Sequence, residues 1–414
     1  MPDWDCDGVQ DEMIPYDQAL HNLLGHARAV EETESVALLD GLHRILEHDM
    51  TSCIDVPPAD NSSMDGYAIR WEDVIAGSTT KLKISQRIPA GETGEKLQPG
   101  AAARIFTGAS VPPDADAVIM QEQVEVDGEY MSFTVPVERM QNIRAAGEDI
   151  RQDQIVLRKG THLRPQELGL AASIGADKLV VKRKVRVGIF FTGDELVEPG
   201  KPLAEGKIYD SNRYTLNGLL QHMGCEVVDL GIVGDTLEQT TRAIVEASEN
   251  TDLVLTSGGV SVGEEDHVRI ALEKLGEVHM WRLRIKPGKP LVFGKVNDTA
   301  FIGMPGNPVS VFATFCLFVS PFIKSLQGRI NITTRSMQVI AGFDWPKVDS
   351  RREYARARLS FDHNNELNAE VYSNQSSGVL MSTSWGEGFV EIPENETITH
   401  GDRINYLSFS DLLG

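Results

Sequence analysis

Leu253-Val254-Leu255-Thr256-Ser257-Gly258-Gly259-Val260-Ser261-Val262-Gly263-Glu264-Glu265-Asp266 is the stretch on which the fold turns. It opens on an apolar run and passes through glycines. It then enters a helical pattern with Val268, Ile270, Ala271, Leu272 and Leu275 on one apolar face, so it reads as strand, turn and helix start. Backbone N–H groups left unpaired at such a helix start face whatever lies beyond the sheet edge, and glycine lets a ligand come close to the chain. Gly258 and Gly263 have the glycine spacing of a phosphate-binding P-loop, but Glu264 and Glu265 stand where Lys-Ser/Thr belongs. The Gly-x-Gly-x-x-Gly dinucleotide pattern does not fit either. An acid facing a bound phosphate needs a cation between them, so Asp266 points to Mg²⁺. Equally, these acids can serve only to favour the first helical turn through the macrodipole.

Upstream, Val185-Arg186-Val187-Gly188-Ile189-Phe190-Phe191 reads as a buried strand running into Thr192-Gly193-Asp194-Glu195. A helix from Ser211 to Met223, a strand from Glu226 to Val233, the turn Gly234-Asp235-Thr236 and a helix to Ala247 follow. Strict alternation predicts a largely parallel sheet covered on both faces, with its ligand crevice beyond the strand C-termini. Glu195, Asp235 and Asp266 fall in three different strand-to-helix turns, which gathers them on one rim as a candidate metal set. Downstream, Arg282-Leu283-Arg284-Ile285-Lys286-Pro287-Gly288-Lys289 carries four cations in eight residues. A solvated strand face is one reading. Anion binding is favoured, because Pro and Gly fix the turn and each charge contact at 4 Å is worth about 4 kcal/mol at an effective dielectric near 20, before desolvation. Met304-Pro305-Gly306-Asn307-Pro308 forms a third turn. The apolar run Val309 to Ile323 that follows is shorter than the roughly 20 residues of a membrane span and is expected as a buried helix.

The chain has 414 residues, 41% hydrophobic and 24% charged, with a net charge of -22. That length calls for several domains. The charge excludes nucleic-acid binding through the general field, so an anionic ligand has to meet a local basic patch. Cys6, Cys53, Cys225 and Cys316 are scattered, with no disulfide framework and no thiolate metal site indicated. A reducing, cytoplasmic setting without membrane association is expected, since the acidic start Met1-Pro2-Asp3-Trp4-Asp5 has no apolar signal core.

Four domains are expected. Residues 1–50, with apolar positions from Ala19 to Leu24 and again from Val36 to Leu46, read as helical. They join 150–183, where Arg164-Pro165-Gln166-Glu167 starts a helix, as a discontinuous helical dimerisation and linker domain. Residues 51–149 form an inserted β domain, 184–333 the α/β domain, and 334–414 a C-terminal β domain or small barrel. Within the insert, Asp60, Asn61, Ser62, Ser63 and Asp65 crowd a loop beside Gly66, and Phe106-Thr107-Gly108-Ala109 ends a strand at a hydroxyl. Both are turns by composition and candidate contacts by chemistry. Near the C-terminus, Arg356 leaves a strand and Ser376-Ser377-Gly378 forms a turn, both suited to capping a cleft shared with the α/β domain.

Seven motifs now stand in order: Asn61-Ser62-Ser63-Met64-Asp65-Gly66-Tyr67-Ala68, Phe106-Thr107-Gly108-Ala109, Gly147-Glu148-Asp149-Ile150, Thr192-Gly193-Asp194-Glu195-Leu196, the Ser257 to Gly263 turn, Lys286-Pro287-Gly288-Lys289-Pro290 and Met304-Pro305-Gly306-Asn307-Pro308. Together they resemble the molybdopterin molybdenumtransferase family, that of MoeA and the gephyrin E domain, over essentially the whole chain. The resemblance implies an α/β multidomain fold with a mostly parallel, molybdopterin-binding central sheet. It implies a homodimer of elongated subunits that inserts molybdate into adenylyl-molybdopterin with Mg²⁺ and releases AMP. It further implies a cleft between the α/β domain of one subunit and the β insert of the other. Asp65 and Thr107 would then come from the partner and work with Asp266 and Lys286. Glu195, Asp235 and Asp266 would handle metal and substrate. Ser257, Gly258, Gly259, Arg282, Lys286, Lys289, Pro290, Arg356 and Ser377 would hold substrate and oxyanion, and Pro305 and Pro308 would shape the turn beneath. Hand-over with the adenylyltransferase and with downstream molybdoenzyme factors is implied too. Ser63, Arg282 and Ser376 depart from the Ala, Lys and Gly that the family pattern leads one to expect. An adenylyltransferase, or a scaffold protein that keeps the fold without chemistry, are the competing readings.

Overall fold

The computed structural model describes residues 13–259, 267–363 and 365–414. Asp266, the two glutamates before it and Cys6 lie outside the described residues.

The central sheet runs Glu226–Val233, Arg186–Thr192, Leu253–Ser257, Thr299–Met304, Pro290–Val296, Gly276–Arg282. Its first four strands are parallel and the last two antiparallel. Period-two alternation splits each strand between two cores. Val187, Ile189 and Phe191 face one core and Phe190 the other. On the first face lie the helix Asn212–His222 and the apolar run after Asn307; on the second lie Leu237–Ser248 and His267–Leu275. The apolar run is one continuous helix from Pro308 to Leu326 with a π-helical segment at Phe315–Val319. By length and composition it is able to cross a membrane, yet 89% of its most apolar window is buried inside the fold, which makes it a core helix. Phe315, Leu317, Phe318 and Phe322 are fully enclosed, each worth roughly 1.5–3 kcal/mol of transfer free energy.

The first expected helical segment is only half realised. Tyr16–Gly25 is a helix, and Ala19 and Leu23 join the central core. Val36 to Leu46 is not helical. Thr33–Ala37 is a strand paired antiparallel with Lys178–Lys182, followed by a single 3₁₀ turn at Leu38–Asp40. The physical reason is a distant partner: Leu46, Leu157, Leu163, Ala171, Leu179 and Val181 form one small core, and Val36 and Leu38 pack on it. Cross-strand pairing with a segment some 145 residues away overrides a local periodicity that fits either element.

Between these two segments sits a six-stranded sheet in the order Ala117–Met120, Gly66–Ile69, Ala101–Ile105, Thr80–Ile88, Tyr130–Phe133, Glu125–Asp127, with an apolar cluster on each face. At the C-terminal end, Arg352–Phe361 pairs with both Leu367–Val371 and Gly388–Ile392. Met337–Ala341 and Arg403–Ser408 complete a closed five-stranded barrel. A two-residue strand pairing is among the contacts that tie the barrel to the α/β domain: Ile285–Lys286 pairs in parallel with Arg352 and Glu353.

Candidate active site

Gly258 and Gly259 of the first turn singled out in the sequence meet the lysine turn and the Pro305-Gly306-Asn307 turn at the C-terminal edge of the central sheet. With the barrel loop 375–377 they line a cleft of about 570 Å³ that contains Gly258, Gly259, Lys286, Lys289, Pro290, Pro305 and Ser377. Gly259 sits at φ 63, and a Cβ there would fall 2.8 Å from Val268 Cγ2, so the chain passes where no side chain fits. Gly288, at φ 103, would place a Cβ 2.8 Å from Thr314 Oγ1 on the core helix. The lysine turn therefore lies directly on that helix. Asn307 precedes the helix and Pro308 occupies its first turn, a position suited to proline. The N–H of Val309 donates to the Ser377 carbonyl at 3.0 Å, which closes the cleft's barrel side.

Asn212, at the start of its helix, holds two of these turns together. Its Nδ2 donates to Ser257 Oγ at 3.2 Å and to the Gly306 carbonyl at 2.7 Å. Ser257 itself is buried beneath the turn. Asn212 was not singled out in the sequence, although it stands in Asp210-Ser211-Asn212, a polar run at a strand-to-helix junction that carried the signal.

The cleft's charge comes from both domains. Lys286 Nζ lies 2.9 Å from Glu353 and 3.8 Å from Asp349. Arg351, which lines the cleft, binds Asp349 through Nε at 3.0 Å and Nη2 at 2.8 Å. That guanidinium holds the Asp349 carboxyl down to about 2. Arg351, Asp349 and Glu353 escaped the sequence reading, because a loop of mixed charges gives no period and no spacing to read. Arg356 is placed differently. It is buried in the barrel strand, where Nε donates to Ser382 Oγ at 3.0 Å and Nη2 to the Ser376 carbonyl at 3.2 Å. Burial pushes its pKa down to about 10. The side chain braces the loop that carries Ser377. Arg282 ends its strand opposite Pro290 and is not among the cleft-lining residues.

Glu195 and Asp235 follow the ends of Arg186–Thr192 and Glu226–Val233, two neighbouring strands at one side of the sheet. Glu195 is exposed, and its carboxylate lies over Gly193. Among the described residues no three acids, histidines or cysteines gather as a metal cluster. Asp266, the third member of the expected set, is outside them, so no chemical step is assigned to a metal ion here.

Asp65 and Thr107 are brought together on the β insert. Thr107 donates to Asp65 Oδ1 from both its backbone N–H and its hydroxyl, each at 2.8 Å. These bonds, the backbone one foremost, hold the half-buried Asp65 carboxyl below its usual range. Neither residue lines this chain's own cleft.

Three family profiles tile the chain: the MoeA N-terminal region (domain I and II) over residues 14–175, the probable molybdopterin binding domain over 188–325, and the MoeA C-terminal region (domain IV) over 338–409. Molybdopterin molybdenumtransferase of Haemophilus influenzae is 38% identical over 406 residues, 97% of this chain and 100% of its own. Gephyrin of Dictyostelium discoideum is 32% identical over 443 residues, 94% of this chain and 61% of its own. The crystal structure of the molybdopterin biosynthesis MoeA protein from Pyrococcus horikoshii superposes with a TM-score of 0.82 at 32% identity, covering 96% of this chain and 100% of that one. With the three regions matched in order over nearly the full length, this chain belongs to the MoeA family.

Proposed function

We propose that the protein is a molybdopterin molybdenumtransferase, which inserts molybdate into adenylyl-molybdopterin and releases AMP. The observation that carries this reading is the cleft where Lys286, Lys289 and Arg351 converge on a glycine turn at the sheet's C-terminal edge, in a protein whose net charge is -22. The physical task is to hold two anions side by side, a phosphoanhydride and a tetrahedral dianion. The cations offset molybdate, the Gly258-Gly259 backbone lets the second anion approach, and fixed positions make ligand exchange effectively intramolecular. The two dithiolene thiols give up their protons to an oxo ligand of molybdate, which leaves as water as the molybdenum–sulfur bonds form, and hydrolysis of the phosphoanhydride releases AMP.

The finer parts of the reading are proposed on narrower support. A homodimer, in which Asp65 and Thr107 of one subunit face the cleft of the other, accounts for a hydrogen-bonded carboxylate and hydroxyl pair that the same chain's cleft does not use. Mg²⁺ is proposed from the acids Glu195, Asp235 and Asp266 on three strand-end turns. A cytoplasmic location and hand-over to the neighbouring enzymes of the same synthesis complete it. The direct test is incubation with adenylyl-molybdopterin and molybdate, with and without Mg²⁺, reading AMP release and reconstitution of a molybdoenzyme. Absence of AMP under all conditions rejects the enzyme reading and leaves the scaffold one. Equal AMP release after chelation rejects the metal.

A further inference from the structure

The cleft contains its own competitor for the ligand. Glu353 is buried, 4% exposed, and its carboxylate lies 2.9 Å from Lys286 Nζ. Asp349 is bound bidentately by Arg351 and lies 3.8 Å from the same lysine. Two of the three cations lining the cleft are therefore neutralised from behind, while Lys289 has no ion-pair partner among the described residues. Glu353 is also fixed in space: its backbone pairs with Lys286 on one side and Ile392 on the other. Lys286, with a side chain about one-third exposed, has room to turn from the carboxylate towards the cleft.

We propose that Glu353 is a specificity-determining residue, the resident counter-anion of the cleft, which retains Lys286 until a tetrahedral dianion draws it away. The Coulomb attraction of a ligand to Lys286 and Lys289 scales with its charge. A dianion outcompetes one carboxylate for the shared lysine, whereas a monoanion of the same size does not. The same competition weakens the hold on the dianion and speeds its departure towards the pterin sulfurs. The inference rests on the reading of the cleft as the molybdate site, and adds to it how the ligand's charge is discriminated.

The test uses the full-length protein and two isosteric tetrahedral ions, molybdate (dianion) and perrhenate (monoanion), in titration calorimetry at low ionic strength. Glu353→Gln keeps the shape and removes the charge. It is expected to bind molybdate on the order of tenfold tighter, the effect of removing one competing charge in a partly screened site, and to narrow the preference for molybdate over perrhenate. Glu353→Asp, which keeps the charge, should retain the wild-type preference. In a Lys286→Met background the gain from Glu353→Gln should vanish, because the effect runs through that lysine. Wild-type binding with unchanged or weaker binding by Glu353→Gln overturns the counter-anion role and leaves the cleft reading standing. No molybdate binding by wild-type protein overturns the cleft reading itself. Should Glu353→Gln fail to fold, Glu353→Met removes the same charge with similar side-chain length, and unchanged or weaker molybdate binding there is equally decisive against the proposal.

Discussion

At the scale of single residues, the site depends on a few backbone and charge positions. Gly259→Ala introduces a Cβ at φ 63, 2.8 Å from Val268. Left-handed strain for a non-glycine residue costs roughly 1–3 kcal/mol, so thermal stability should fall and AMP release should be lost, as read by melting and by turnover. Asp349 sets a pH dependence. Its folded pKa is depressed from 3.8 to about 2, foremost by Arg351, so the carboxylate contributes stability above pH 4 that is lost as pH falls towards 2. The difference amounts to about 2 kcal/mol. Acid titration of the unfolding midpoint should accordingly have a shallower limb in Asp349→Asn than in wild type. The residues easiest to find in the sequence were those bound into rigid spacing, such as Lys286 and Lys289 within Pro-Gly turns. Asp349 and Glu353 were invisible there, since what matters about them is the lysine they meet across a domain boundary.

At the scale of elements, alternating strands and helices from Val185 to Leu326 were legible because each apolar period had only one way to be satisfied in a sheet covered on both faces. The segment around Val36 was misread as helix, since five residues of mixed apolarity fit a strand as soon as the antiparallel partner Lys178–Lys182 arrives. The barrel strand Arg352–Phe361 was placed correctly, but the surroundings of Arg356 were not legible: alternation sets it on the face opposite Ala355 and Ala357, which line the barrel core, and only the fold shows that Ser382 and the loop carrying Ser376 cover that outer face. From its buried position Arg356 acts on the loop 374–377. Arg356→Met keeps much of the volume and removes the bonds to Ser382 and Ser376. Amide exchange at residues 376–379 should accelerate, and molybdate binding should weaken about tenfold, as expected for lost charge-assisted hydrogen bonds. Hydrogen exchange with mass spectrometry and calorimetry measure the two effects.

At the scale of the whole molecule, the proposed division of labour between subunits yields a complementation experiment. Asp65→Ala removes the carboxylate that Thr107 orients, and Lys289→Ala removes the unneutralised cation of the cleft. Each variant alone should be inactive. Co-refolded or co-expressed, they should form hybrids in which one of the two clefts is intact, restoring about a quarter of wild-type turnover under random pairing of a twofold dimer. No recovery in verified hybrids would place both residues in one subunit's site. The overall plan, a helix and β insert ahead of an α/β body and a small barrel behind it, was legible in motif order. How the pieces face one another was not.

The two-residue pairing of Ile285–Lys286 with the barrel bears on how such a protein is able to arise. A gene encoding only the α/β body would carry its cationic turn without Asp349 and Glu353, and on the counter-anion proposal would lose its discrimination by ligand charge. Fusion to the barrel supplies restraint along with a wall. Any recombination or engineering that exchanges one module for a homologue's must carry that two-residue seam intact, or it trades selectivity for stickiness.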